Sequence, residues 1–192
     1  MTIREVLINI RERLQNAGIE DFEYESWAFL DWKLHINRAE FYMNPNGEVK
    51  EELLAELESV LKQREQRVPL QYLMGECEFM GYDFYVDERV LIPRQDTECL
   101  VELAVEDIRN RKTQNRCESN NTADRKNEQK VKVLDLCTGS GCIGISVAKL
   151  CPDTEVTLAD ISEGALSVAK KNAQNLDCLL YTSPSPRDTE RS

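Results

Sequence analysis

The chain has a single histidine, no Cys-x-x-Cys pair, no long apolar run and fewer basic than acidic residues, and each shortage removes a class of function. A membrane-spanning helix needs about 20 consecutive apolar residues, and nothing in the sequence approaches that. The opening MTIREVLINIRERL carries charges inside its apolar pattern, where a secretory signal has an unbroken apolar core. A cytoplasmic chain without membrane association is the expectation. The 7 cysteines (77, 99, 117, 137, 142, 151 and 178) are odd in number, and His35 lies far from them in sequence. That spacing argues against a disulfide framework and against zinc, so no metal is expected. With 24 Lys and Arg against 35 Asp and Glu, the net charge is −11, which argues against bulk binding to a nucleic-acid backbone.

What is present is enough apolar material, 41% of 192 residues, for one or two small cores. Thr2 and Glu5 form a capping box ahead of Ile3, Val6, Leu7, Ile10 and Leu14, which recur at helical spacing until Gly18. Asp21 can cap a second helix carrying Phe22, Trp27, Leu30 and Leu34, a short helix is expected over Ala39 to Met43, and Asn44-Pro45-Asn46-Gly47 reads as a turn. A longer helix is expected from about Glu48 to Arg67, with Leu53, Leu54, Leu57, Val60 and Leu61 on one face. Residues 1–67 are therefore expected to form a helical bundle, either a packing unit or a docking module for a partner.

From Val68 the texture changes. Glu78 to Val86 is rich in aromatic and β-favouring residues around Gly81, the pattern of a short hairpin, so 68–95 is expected to be a β-hairpin linker. Asp96 or Thr97 can cap a helix running through Val105, and the polar stretch Lys112 to Lys130 is expected to be a flexible insertion. Strand 131–136, helix 142–150, strand 154–159 and helix 162–175 then give a right-handed β-α-β-α start to a parallel sheet.

The chemistry concentrates where that sheet begins. Val133 to Gly144 reads VLDLCTGSGCIG, a glycine-rich turn between an apolar strand and a helix, and Asp160 closes the next strand. Gly139, Gly141 and Gly144 fit G-x-G-x-x-G, so a dinucleotide site has to be weighed first. Asp135 weighs against it, because a pyrophosphate docked at the helix N-terminus would meet a carboxylate. S-adenosylmethionine has no phosphate and carries an ammonium and a sulfonium, which an acid beside the loop favours. The expected cofactor-binding residues are Asp135, Cys137, Thr138, Gly139, Ser140, Gly141 and Asp160, the last holding ribose hydroxyls. Cys137 is expected not to need a positive φ.

Three segments together resemble the protein-(glutamine-N5) methyltransferase family that modifies peptide chain release factors. They are VPLQYLMGECEFMGYDFYV (Val68 to Val86), VLIPRQDTECLVE (Val90 to Glu102) and the VLDLCTGSGCIGIS loop with LADIS. A generic methyltransferase would share only the third. The chain departs from the family pattern in having Gln95 for a proline and Cys137 for the first loop glycine. The resemblance implies an α/β fold, a helical bundle followed by a Rossmann-like class I methyltransferase domain. It also implies S-adenosylmethionine as cofactor, a release factor as protein partner, and a monomer that transfers a methyl group to a glutamine side-chain amide. Phe79, Phe84, Pro93, Arg94 and Thr97 are the implied substrate-binding residues, with Phe79 and Phe84 equally readable as hairpin core.

The family's Asn-Pro-Pro-Tyr motif, which holds the acceptor amide, does not occur in this sequence. No catalytic residue is therefore assigned. Residues 178–192 resemble a translated sequencing-library adapter and are expected to be non-native, which would truncate the methyltransferase domain at 96–177 and stop the sheet after its second parallel strand. Two other readings stay open: an adenine-N6 DNA methyltransferase, disfavoured by the acidic charge and the hairpin segment, and a binding fragment without turnover.

Overall fold

The computed structural model describes residues 1–118, 130–178 and 181–184, and divides into two compact units, Met1–Met74 and Gly75–Ser192.

The first unit is helical. Helix α1 (Ile3–Asn16) starts at the expected capping box: the Thr2 amide donates to Glu5 Oε2 (2.8 Å) and the Glu5 amide to Thr2 Oγ1 (3.3 Å). Ile3, Val6, Leu7, Ile10 and Leu14 are its buried stripe. Helix α2 (Phe22–Leu34) buries Phe29, Leu30 and Leu34, while Asp21 at its start makes no side-chain cap bond. Its ψ of 28° does not have the extended backbone that turns a cap side chain onto the following amides. Helix α2 ends at His35, an exposed residue in the left-handed conformation. Helices α3 (Arg38–Met43), α4 (Glu51–Glu65) and α5 (Leu70–Met74) complete the unit, with Leu57, Leu61 and Leu70 joining the core of α1 and α2. Because Leu70 packs there, residues 68–74 belong with the helical unit, whereas the sequence reading joins them to the hairpin.

One ion pair is built into this bundle. Arg64 on α4 donates through Nε (2.7 Å) and Nη2 (2.9 Å) to the two oxygens of Glu25 on α2, and through Nη1 to the Val68 carbonyl (3.2 Å). Both side chains are nearly withdrawn from water, at 13% and 10% exposure.

The second unit opens with an antiparallel hairpin, β1 (Glu76–Phe79) and β2 (Tyr82–Tyr85). Its two-residue turn, Met80-Gly81, has φ of +53° and +74°, the signs that match the twist of paired strands. The Glu98 carboxylate accepts the Met80 amide (2.7 Å), tying the turn to helix α6 (Glu98–Glu118). Helix α6 runs well beyond Val105 and includes 112–118, which the sequence reading assigns to a loop. The stretch contains no glycine or proline, its Arg, Lys, Gln and Glu are good helix formers, and Asp107 pairs with Arg111 one turn on (2.8 Å). A helical stretch without apolar residues is invisible to periodicity. The rest of the expected insertion, 119–129, lies outside the described residues.

Strand β3 (Val131–Leu136), helix α7 (Cys142–Leu150), strand β4 (Thr154–Asp160) and helix α8 (Glu163–Asn175) follow with the expected boundaries to within a residue. A third parallel strand, β5 (Tyr181–Pro184), pairs with β4, giving the order β3-β4-β5. The sheet therefore does not stop after two parallel strands, and β5 falls within the segment expected to be a non-native tail. Residues 185–192 lie outside the described residues.

Val101, Val105 and Ile108 of α6, Ile145 of α7, Ala169 and Ala173 of α8, and Val156 and Leu158 of β4 form one core. Phe79 and Phe84 belong to it, so the hairpin is part of this unit's core rather than a linker. This helix-backed parallel sheet is the Rossmann-like arrangement that the resemblance implies. Alternation along β3 turns Leu134 and Leu136 to the opposite sheet face, where they are 63% and 60% exposed.

Candidate functional site

The glycine-rich loop joins β3 to α7 at the carboxyl end of the parallel strands, where open α/β sheets bind ligands. Asp135 is the last inward-facing residue of β3, since Leu136 turns to the other face. Its Oδ2 accepts the Thr138 hydroxyl (2.6 Å) and the amide of Gly144 (2.9 Å). Gly144 is the third residue of α7, so Asp135 caps the helix from a neighbouring strand and places its charge at the positive end of the helix dipole. The carboxylate is buried, and burial raises its pKa above the ordinary 3.8, opposed by the hydrogen bonds from Thr138 and Gly144. A side chain at Gly144 would collide with Leu158 and Asp135, with a Cβ at 2.3 Å and 2.9 Å from them. The third glycine of the fingerprint thus serves helix-to-sheet contact.

Asp160, at the end of β4, has a different setting. Its Oδ2 accepts the Gly139 amide (2.9 Å) and its Oδ1 the Ser162 amide (2.9 Å), and the side chain is only half-buried. Two backbone amides fix the carboxylate, and each oxygen keeps lone-pair capacity for a further donor. Gly139 has φ +55°, and a Cβ there would meet nothing within 4 Å, so the loop backbone fronts open space at this point. Ile161, next to Asp160, is 61% exposed.

Cys137 corrects an expectation. It is exposed and has φ +62°, so the chain does adopt the left-handed backbone here, with a non-glycine residue carrying the strain of the strand-to-loop turn. Thr138, Ser140 and Gly141 are buried, and the Thr138 hydroxyl is used on Asp135. Of the residues expected to bind a cofactor, Cys137, Gly139 and Asp160 reach the surface, while Asp135, Thr138, Ser140 and Gly141 shape the loop from beneath.

The expected substrate residues divide as well. Phe79 and Phe84 form an edge-to-face pair, ring centroids 6.1 Å apart, and are 1% and 0% exposed. Alternation in the two strands turns both rings into the core, so they correct the substrate-binding expectation. Pro93 and Thr97 are half-buried, and Arg94 is exposed at the head of the 3-10 turn 95–97, with no ion pair to it among the described residues. The Pro93 carbonyl accepts from Cys77 Sγ (3.7 Å), tethering the segment to β1. Cys142, at the start of α7, is buried with its thiol pKa pushed up to about 11, chiefly by desolvation, which makes it an inert packing group.

Sequence reading misses Asn172 altogether. It is fully buried on α8 and hydrogen-bonds both to Tyr85 of the hairpin and to Ser140 of the loop. The one signal in the sequence is its position on the apolar stripe Ala165, Leu166, Val168, Ala169 and Ala173, where a polar side chain needs partners.

Comparison with known proteins places this arrangement. Residues 5–75 match the PrmC N-terminal domain, and residues 121–183 match the methyltransferase small domain. A release factor glutamine methyltransferase from Clostridium acetobutylicum is 37% identical over 177 residues, covering 92% of this chain and 56% of that protein. Over nearly its whole length the chain is similar to release factor glutamine methyltransferases. A second release factor glutamine methyltransferase, from Streptococcus pneumoniae, is 35% identical over 193 residues, covering 100% of this chain and 62% of its own length. The chain thus spans between half and two thirds of these relatives. Among solved structures, the tRNA (uracil-54, C5)-methyltransferase of Pyrococcus abyssi in complex with S-adenosyl-L-homocysteine superposes with a TM-score of 0.41 and 17% identity, covering 57% of this chain and 23% of that one. Among the described residues no helix is long and apolar enough to cross a membrane.

Proposed function

We propose that this chain carries the donor-binding portion of an S-adenosylmethionine-dependent methyltransferase that modifies a glutamine side-chain amide in peptide chain release factors. The observation that carries the choice of cofactor is the bond from the Gly144 amide to Asp135. A phosphate-binding helix N-terminus presents its first-turn amides to the ligand. Here one of those amides is already taken by a buried carboxylate, which also repels a second anion.

The residues present fit the group. Asp160, held by the Gly139 and Ser162 amides, retains acceptor sites for the two vicinal hydroxyls of a ribose. Exposed Ile161 offers an apolar surface beside it for the face of a purine. The open space at Gly139 lets the ligand approach the backbone closely. Bound S-adenosylmethionine would supply an electrophilic sulfonium methyl.

The acceptor is the harder part of the reaction. A carboxamide nitrogen has its lone pair delocalised into the carbonyl, so a site has to hold its N–H groups and aim the nitrogen at the methyl carbon. Arg94, exposed on the segment that Cys77 tethers, is the residue we assign to the acceptor side, where a guanidinium can hold a carbonyl oxygen. The 192 residues contain no Asn-Pro-Pro-Tyr, so the acceptor-holding set is missing from this chain and the polypeptide by itself binds the donor without turning over.

Calorimetric titration of the purified chain with S-adenosylmethionine and, separately, NAD tests the donor assignment. Binding of the first alone is expected, and preferential binding of NAD overturns the reading. Methyl incorporation into a release factor by the 192-residue chain, at a rate near that of a full-length relative, would refute the assignment of inactivity.

A further inference from the structure

Asparagine is a poor residue for a helix interior, because its short polar side chain competes for backbone hydrogen bonds. Asn172 nevertheless occupies the buried stripe of α8, at 0% exposure, and its oxygen and both N–H groups are engaged by two segments distant in sequence. Its Oδ1 accepts the Tyr85 amide (2.7 Å), and its Nδ2 donates to the Tyr85 carbonyl (2.9 Å) and to the Ser140 carbonyl (2.8 Å).

The geometry at each end gives the side chain a purpose. In the hairpin, the Val86 amide donates back to Gly75, so Tyr85, one residue earlier, directs its peptide groups to the free edge of β2. Asn172 meets that edge with one donor and one acceptor, as a neighbouring strand would. In the loop, the Ser140 carbonyl and the Gly141 amide belong to one peptide plane. Asn172 holds the carbonyl and the Thr138 carbonyl accepts the amide (2.8 Å), so the plane is fixed from both sides. This plane precedes α7 directly and lies next to Gly139, where the loop fronts open space. Beyond Tyr85 the hairpin continues through β1 to Cys77 and its contact with Pro93.

We propose that Asn172 is a positioning residue that locks the donor loop to the hairpin, holding the Ser140–Gly141 peptide in the orientation that binds the donor and keeping the Pro93-Arg94 segment in register with it. The proposal rests on the S-adenosylmethionine reading for its effect on affinity, but not for its effect on the loop. Replacement by leucine keeps the volume and removes all three bonds. Replacement by aspartate keeps the acceptor for Tyr85 but turns an oxygen towards two carbonyls, and only the protonated form can donate to one of them. Lys171, whose ammonium lies 3.1 Å from the centroid of the Tyr85 ring, is the charged neighbour on the same helix, and Asp135 and Asp160 are the acids on the loop side.

The test uses the whole chain, with S-adenosylmethionine titrations normalised to wild type at each pH and amide hydrogen exchange read at Tyr85 and Gly141. Asn172→Leu is expected to weaken binding at least tenfold and to speed exchange at both amides. Asn172→Asp is expected to be weak at pH 8 and to recover as the pH falls towards 5. Wild-type affinity of Asn172→Asp at every pH, or slow exchange at Gly141 in a folded Asn172→Leu chain, overturns the proposal. If wild type itself fails to bind the donor, the cofactor reading is lost, and the exchange at Gly141 still decides whether Asn172 locks the loop.

Discussion

Asp135 on β3 holds the amide of Gly144, the third residue of α7, at 2.9 Å, and so couples the titration of one buried acid to the seating of a helix. Burial raises the Asp135 pKa above its unfolded value of 3.8, so the folded state disfavours the ionised form. Its contribution to stability is fully present below about pH 3.8 and is lost as pH rises through the elevated folded value. The Asp135→Asn variant carries a neutral side chain at every pH, and its amide oxygen can still accept from Thr138 and Gly144. Urea unfolding at a series of pH values is expected to show wild type losing ground to Asp135→Asn as the pH is raised, with a plateau once the pH exceeds the elevated folded value. A difference independent of pH would mean that the acid is not desolvated as described. Asp135→Ala, which leaves the Gly144 amide without its acceptor, is expected to cost about 1–3 kcal/mol at neutral pH.

Cys137 holds φ +62° with a β-carbon, in a region where an L-residue is strained by about 1–2 kcal/mol relative to its usual conformations. Glycine removes that strain but adds freedom to the unfolded chain, which offsets about 0.4–1 kcal/mol. Cys137→Gly is therefore expected to stabilise the second unit by roughly 0.5–1 kcal/mol, seen as a higher midpoint in denaturant. A loss of stability would show that the thiol contributes packing that its exposure conceals.

In the helical unit, the Glu25–Arg64 pair is nearly buried and bidentate, and Arg64 also serves the Val68 carbonyl. Removing one partner strands the other charge away from water, which costs about 3–5 kcal/mol. Glu25→Gln and Glu25→Leu are both expected to fall near that range in chemical unfolding followed by tryptophan fluorescence, since Trp27 and Trp32 report on α2. Replacing the two residues together by leucine and methionine should recover most of the loss. Equal damage in the double variant would show that the pair stabilises the bundle beyond neutralising itself.

Leu134 and Leu136 present a bare apolar strip on the face of the sheet opposite α7, and parallel sheets are ordinarily covered on both faces. The chain is expected to bind a hydrophobic dye and to self-associate with rising concentration. Leu134→Lys combined with Leu136→Glu should reduce both without lowering the unfolding free energy by more than about 0.5 kcal/mol, because exposed substitutions are mild. Unchanged dye binding and sedimentation would place the sticky surface elsewhere.

The local parts of this fold were legible from residue order. The α1 capping box, the stripe Ile3 to Leu14, the Met80-Gly81 turn and the strand-loop-helix around Gly139 all depend on neighbours a few positions apart. Helix α6 past residue 111 escaped, because a polar stretch has no apolar period to detect. Strand β5 escaped because only pairing to β4 identifies it.

For the site, the sequence alone determined that a glycine-rich loop with two acids sits at the carboxyl ends of adjacent strands, and that its charge suits a cationic ligand better than a phosphate. Only the tertiary structure decided what each acid does. Asp135 and Asp160 both read as cofactor-binding in the sequence, but strand alternation sends the first beneath the loop to cap α7, while two backbone amides hold the second at the surface. The same holds for Phe79 and Phe84, turned into the core, and for Asn172, whose partners lie on two other segments. A residue's chemistry is a property of its side chain. Whether that chemistry meets a ligand or another part of the protein depends on which segments the fold brings within hydrogen-bonding distance, and sequence order does not carry that distance.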